Sequence, residues 1–275
     1  MERVIGVSSG CFLFRGNGYV KPKPIPFELR KYQFELQVGR GYFFEDIENI
    51  VTVHLPFREY HAASINGEKL FIEGRNVNIA TLNGSLRKAW LKEFTGIIFE
   101  AASRNASVAV LHYGVCDCQD ENVLNESHRV RHWKAEASFL GEISKVCDDV
   151  GISLLVENHP YDETIFLNHL KHMEAVVEEG FAKICLDFPH AYYREFKGED
   201  NIEALASALR DEILEVHLAD GNGLSHEPLQ VGEGSINFEK VLKKLTRTKF
   251  FIIEVRGDPT PSIKAARELL EKTTL

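Results

Sequence analysis

Four short apolar runs in this 275-residue chain each close on side chains that can ligate a metal. LLVENHP (154–160) offers Glu157, KICLDFPHAY (183–192) offers Asp187 with His190, EVHLADG (215–221) offers His217, and FFIIEVRG (250–257) offers Glu254. Two earlier runs behave alike: IVTVHLPF (50–57) carries His54 and VAVLHYG (108–114) carries His112. Carboxylate oxygens and imidazole nitrogens without a thiolate suit zinc, manganese, cobalt or magnesium. A cation so held polarises substrate oxygens, and carboxylates beside it can move protons. Taken singly, a strand-end His is more often a hydrogen-bonded core group, and Glu254 could pair with nearby Arg256. The joint pattern argues otherwise. Burying so many carboxylates in one place demands positive charge, which His54, His112 and a cation would supply.

The elements that position these residues follow from the apolar pattern. Runs of 4–8 apolar residues bounded by turn signals read as buried strands. Eight are expected: Val4–Ser9, Phe34–Val38, Ile50–Phe57, Val108–Gly114, Ser153–Glu157, Lys183–Asp187, Ile213–Ala219 and Phe250–Val255. Helical spacing is expected over 85–103 with Ser85 as cap, and over 127–150 and 164–179, stopped by Gly151 and Gly180. Further helices are expected at 202–211, 237–245 and 261–271, while the crossover between about 39 and 50 is too short for one. Alternating strands and helices imply a parallel sheet, and eight of them in this length imply one (β/α)8 barrel domain spanning residues 1–275. In such barrels the chemistry sits at the C-terminal strand ends, where the His, Asp and Glu residues fall. The stretch CFLFRGNGYVKPKPIPF and residues 58–84 read as loops, and the long loops at 10–30 and 58–84 would supply substrate contacts.

Other candidates carry bland readings. His128 and His132, four apart on a helix, and His169 and His172 on another, read as solvated faces. Cys116 and Cys118 read as free thiols, and Trp90 and Trp133 as packing residues. Gly232 and Gly234 precede a helix whose N-terminus could hold an anion, or simply form a tight turn. The net charge of −9 weighs against broad non-specific nucleic-acid binding, although a local basic rim is compatible with it. No apolar run approaches the ~20 residues of a membrane span. Five cysteines in no framework spacing, behind an N-terminus without a signal-peptide profile, suggest a reduced cytoplasm.

HLPF, LHYG, VENHP, CLDFPHA, VHLADG, GEGSINF and IIEVRG, in this order, resemble the xylose-isomerase-like barrel superfamily over nearly the whole chain. That group includes sugar isomerases and epimerases and the type IV AP endonucleases. The epimerase branch implies one divalent metal (zinc, manganese or cobalt) on Glu157, Asp187, His217 and Glu254. The two Glu would serve as the acid/base pair of an enediolate mechanism on a small sugar-like substrate. The endonuclease branch implies three zinc ions, abasic DNA as substrate, and further ligands matching His54, His112 and His190. It also calls for an Asp-x-His pair before the GEG turn, where this chain reads LSHEPLQVGEG, with only a displaced His226. His54, His112, His190 and His226 could instead grip sugar hydroxyls or a phosphate. Oligomeric state stays open, with a homodimer through the helices as the candidate arrangement.

Overall fold

The computed structural model describes residues 2–37, 47–65, 68–116, 126–160, 165–166, 168–199 and 201–273. In chain order the strands are β1 (Val4–Ser8), β2 (Leu13–Gly16), β3 (Tyr19–Pro22), β4 (Gln33–Gln37), β5 (Ile50–His54) and β6 (Arg58–Ile65). They continue as β7 (Glu68–Asn76), β8 (Val108–His112), β9 (Ser153–Glu157), β10 (Lys183–Asp187), β11 (Ile213–Leu218) and β12 (Phe250–Ile253). The helices are α1 (Gly84–Ser103), α2 (Glu126–Val150), α3 (His169–Glu178), α4 (Phe188–Phe196), α5 (Ile202–Ala208), α6 (Phe238–Leu242) and α7 (Thr260–Thr273).

Eight strands close a parallel barrel in the order β1-β12-β11-β10-β9-β8-β5-β4. Their register explains how the polar ends meet. His112 lies opposite Glu157, Asp187 opposite His217, and Gln37 opposite His54. Side chains alternate across a strand, so residues two apart share a face. Each strand therefore presents a pair to the barrel interior, a lower residue and a rim residue: Glu35 and Gln37, Thr52 and His54, Cys185 and Asp187, Glu215 and His217. Below them Val108, Val110, Leu155, Phe250 and Ile252 fill the bottom with apolar volume. Gly6 belongs to this crowded interior. A Cβ there would stand 2.6 Å from Ile252 Cδ1. The larger core lies outside the barrel, where Phe94, Phe139, Leu140, Ile143 and Phe188 of the helices pack on the outward strand residues.

The (β/α)8 expectation holds, and two of its expected loops are corrected. β2, β3, β6 and β7 form a separate four-stranded antiparallel sheet in the order β2-β3-β7-β6. Its strands come from the stretch after β1 and the stretch after β5, the two regions read as loops. They pair through antiparallel ladders flanked by cross-strand ions such as Arg75–Glu59, at 2.9 Å, and their apolar residues come in groups as short as Leu70–Ile72, below the length of a buried strand run. Asn83, not Ser85, caps α1, accepting the N–H groups of Ser85 and Leu86. α4 was not anticipated and starts directly at Asp187, whose side chain caps it. Val38, Thr164 and the short crossover at 39–46 lie outside the described residues. Among the described residues no helix is long and apolar enough to cross a membrane.

Candidate metal centre

His217 is fully buried at the centre of the rim layer, and its two ring nitrogens face different partners. Nε2 lies 2.8 Å from Glu35 Oε2. Nδ1 points to three carboxylates: Glu254 Oε2 at 3.1 Å, Glu157 Oε1 at 3.3 Å and Asp187 Oδ2 at 3.7 Å. Among the described residues this nitrogen has no hydrogen-bond partner. Ligand atoms of Glu157, Asp187 and His217 lie within 4.8 Å of one another. A buried imidazole nitrogen facing three carboxylates without a hydrogen bond has the donor chemistry that a divalent cation takes, and these residues fit one.

The other His residues gather above. His54 Nε2 lies 2.8 Å and His112 Nε2 3.3 Å from Glu157 Oε2, so a second group, His54, His112 and Glu157, also has ligand spacing. His190 is fixed by the start of α4. Its N–H donates to Asp187 Oδ1 at 2.6 Å, and its Nδ1 sits 3.5 Å from Glu157 Oε1 and 3.0 Å from the Asn158 carbonyl. His226 stands further out, with its ring 6.3 Å from that of His190. Glu254 joins the rim just past β12 and accepts from Gln37 Nε2 at 2.5 Å. Arg256 does not pair with it, binding Glu227 at 2.7 Å instead. All eight residues singled out by sequence are thus drawn to one end of the barrel. Above them opens a cavity of about 370 Å³, bordered on one side by the antiparallel sheet.

Electrostatics bind the cluster together. Burial alone would push the Glu157 carboxyl up, but His217, His112 and His190 outweigh it and hold the group well below the usual carboxylate range. Glu254 is drawn down to about 2, its burial overcome chiefly by His217. Burial opposes the charged forms of His54 and His190, yet Glu157 raises His54 to about 9, and Asp187 with Glu157 does the same for His190. His217 is raised well above the ordinary imidazole value against its own desolvation. The metal-free rim is therefore a set of carboxylates neutralised by protons on imidazoles.

Sequence reasoning missed the layer beneath. Glu35 and Glu215 are both fully buried in the barrel interior. Glu215 accepts from Thr52 Oγ1 at 2.6 Å, and burial raises its pKa. Glu35 holds His217 by the far ring nitrogen, which fixes the tautomer that leaves Nδ1 free to ligate. The signal available was spacing: Glu35 precedes Gln37, and Glu215 precedes His217, by two residues. Replacing Glu35 with Gln should weaken zinc binding about tenfold, measured by chelator competition. Unchanged affinity would mean that Glu35 does not orient His217.

Several expectations are corrected. His169 and His172 are buried, not solvated. His172 Nε2 lies 2.9 Å from Glu136 Oε2, and His169 meets the Tyr113 hydroxyl. His132 is also buried, against the Ala80 carbonyl, while His128 stays partly exposed. His169 and His172 pack on Tyr113, and His169 also on His159; the Tyr113 and His159 rings lie 4.4 Å apart in the cavity wall. The turn at Gly232 and Gly234 already holds an anion, the chain's own Asp220, which accepts from Gly232, Ile236 and Gly221 at 2.9–3.1 Å. Gly234 is required there, because a Cβ would stand 2.3 Å from Asp220 Oδ1. Cys116 is buried and Cys118 lies outside the described residues. Trp90 and Trp133 pack as expected, Trp133 with its ring 5.2 Å from that of Phe166.

The site thus joins a closed parallel eight-stranded barrel to carboxylates and imidazoles that converge on its C-terminal strand ends with spacing that could hold a metal ion. The family model for xylose isomerase-like TIM barrels matches residues 41–273, and the chain belongs to that family. It is 28% identical over 261 residues to the uncharacterized protein MJ1311 of Methanocaldococcus jannaschii, covering 94% of this chain and 77% of that one. Among solved structures it is similar to a D-tagatose 3-epimerase-like protein, with a TM-score of 0.75 and 22% identity over 98% of each chain. It is also similar to the IOLI protein with a bound zinc atom, with a TM-score of 0.71 and 14% identity over 98% of this chain and 99% of that one. At these identities the likeness to the two structures is one of fold.

Proposed function

We propose that this chain is a divalent-metal-dependent isomerase or epimerase acting on a sugar or small keto-polyol. The observation that carries the reading is His217 Nδ1 facing Glu157, Asp187 and Glu254 together. Those four residues would hold zinc, manganese or cobalt. When bound, the cation supplies polarisation of the carbonyl and hydroxyl oxygens of an α-hydroxy ketone, which acidifies the C–H between them. Glu157 and Glu254, both ionised at neutral pH, accept that proton and return it on either face. His54 and His190 orient Glu157, and His112 and His226 reach substrate hydroxyls from the cavity wall. An epimerase-like neighbour and a zinc-bound neighbour on the same fold support the reading.

A zinc phosphodiesterase acting on abasic DNA is the second reading, favoured by the extra group of His54, His112 and Glu157. Against it stand the missing Asp-x-His pair and the antiparallel sheet bordering the cavity. Elemental analysis of natively purified protein, followed by solvent-deuterium incorporation into a panel of ketoses, tests the first reading. About one equivalent of metal and label at the carbon beside the carbonyl are expected. Two or three equivalents of zinc with cleavage of an abasic oligonucleotide and no ketose exchange would overturn it.

A further inference from the structure

The sheet bordering the cavity brings two guanidinium groups to its wall. Arg15 of β2 and Arg58 of β6 both line the cavity that holds Glu157 and Glu254. They share one counter-charge: Arg58 Nη1 lies 2.8 Å from Glu73 Oε2, and Arg15 Nη1 3.6 Å from Glu73 Oε1. Arg58 Nε donates to Asn76 Oδ1 at 3.0 Å, which holds its fork in place. Arg15 lies over the Phe57 ring, 5.4 Å from its centroid, and its buried Nε has no hydrogen-bond partner among the described residues. Arg256 and Glu227, which also line the cavity, form an ion pair of their own. The sheet wall thus carries two cations against one carboxylate, while the floor of the same cavity is rich in carboxylates.

A neutral polyol gives such a wall no counter-charge. A planar guanidinium presents paired donors that match a carboxylate or a phosphate, and such charge-assisted bonds are the strong ones. We propose that Arg15 and Arg58 form an anion subsite, so that the substrate is a keto-sugar bearing a terminal carboxylate or phosphate. This rests on the isomerase reading for the ketone end: the anionic group lies on the sheet wall while the α-hydroxy ketone reaches the rim carboxylates.

Three probes with one carbon skeleton test it: D-fructose, D-fructose 6-phosphate and D-fructuronate, titrated into the metal-loaded protein by calorimetry. At least one anionic probe should bind about tenfold more tightly than D-fructose, and which one does identifies phosphate or carboxylate as the group. In Arg15→Gln and Arg58→Gln that preference should fall towards one. Glu73→Gln, which releases both guanidiniums, should raise it, a gain that misfolding does not mimic. If the arginines only fasten the sheet, their loss weakens all three probes in step and the ratio stays put. A wild-type protein without preference for an anionic probe, or a preference that survives both arginine changes, overturns the subsite. Solvent-deuterium exchange on the same probes reports separately on the isomerase reading. Exchange without anion preference removes the subsite alone, whereas arginine-dependent preference without exchange removes the isomerase.

Discussion

Changing Glu157 or Glu254 to Gln is expected to slow solvent-deuterium exchange into a ketose substrate by about 10²–10⁴-fold, because each removes one partner of the acid/base pair. The two variants should differ in everything else. Glu157 is buried and touches His54, His112, His190 and His217, so its loss strips four imidazoles of a common counter-charge. Its variant should also lose most of its metal and unfold at lower denaturant. Glu254 has a side chain 23% exposed at the cavity edge, and its variant should keep more of both. Exchange followed by NMR, with metal content measured on the same samples, separates loss of a base from loss of a ligand. If a fully metallated Glu254→Gln protein exchanged at the wild-type rate, Glu254 would not be a base.

Metal uptake should be strongly pH-dependent. His54 and His190 keep their protons to about 9, and His217 is raised well above its ordinary value, so at pH 7 a cation must displace protons on entering the cluster. Affinity should therefore rise about tenfold per pH unit for each proton released, and level off above about 9. Calorimetry in two buffers of different ionisation enthalpy measures the release, and a binding heat independent of buffer would remove this account of the rim. The stability of the metal-free protein runs the opposite way. Groups raised in the folded state, such as His54, stabilise fully below the unfolded value near 6.5 and lose that contribution as pH rises through about 9. Glu254, lowered to about 2, behaves oppositely: its contribution is present above 4.5 and is lost as pH falls through 2. The metal-free protein should then show a falling Tm from pH 6.5 to 9, which saturating metal flattens. At a hundred times Kd, bound metal stabilises by about 2.7 kcal/mol, and a chelator should reverse it.

The barrel and its rim were readable in the sequence because buried parallel strands are nearly pure apolar runs, against which a terminal Glu157 or His217 stands out. Glu35 did not stand out. It sits in QFELQ (33–37), where polar neighbours make the strand look half-exposed, and only the barrel's closure buries it against His217. The antiparallel sheet was hidden for a related reason: the apolar residues of REYHAASI and EKLFIEGRN stand in short groups among charged ones, and the sheet is completed only where β7 pairs with the distant β3. His132, His169 and His172 were misread because their helices are charged nearby, and their burial rests on Ala80, Tyr113 and Glu136 respectively, partners that lie outside their own helices. Each miss is a contact between elements, which local pattern does not encode.

His217 and the three carboxylates around its Nδ1 come from positions 157–254, whereas the sheet at the cavity wall is built entirely from 13–76. Under the proposed reading, the two proton-moving carboxylates and the arginine wall lie in opposite halves of the chain. Drift in the first half can retune which molecules enter without redrawing the proton path, and a recombinant carrying a relative's opening segment would inherit that relative's appetite while keeping its own chemistry. Glu35, Gln37 and His54 are the seam in such a graft: they come with the first half but grip His217, Glu254 and Glu157 of the second, so any exchange that succeeds must preserve them.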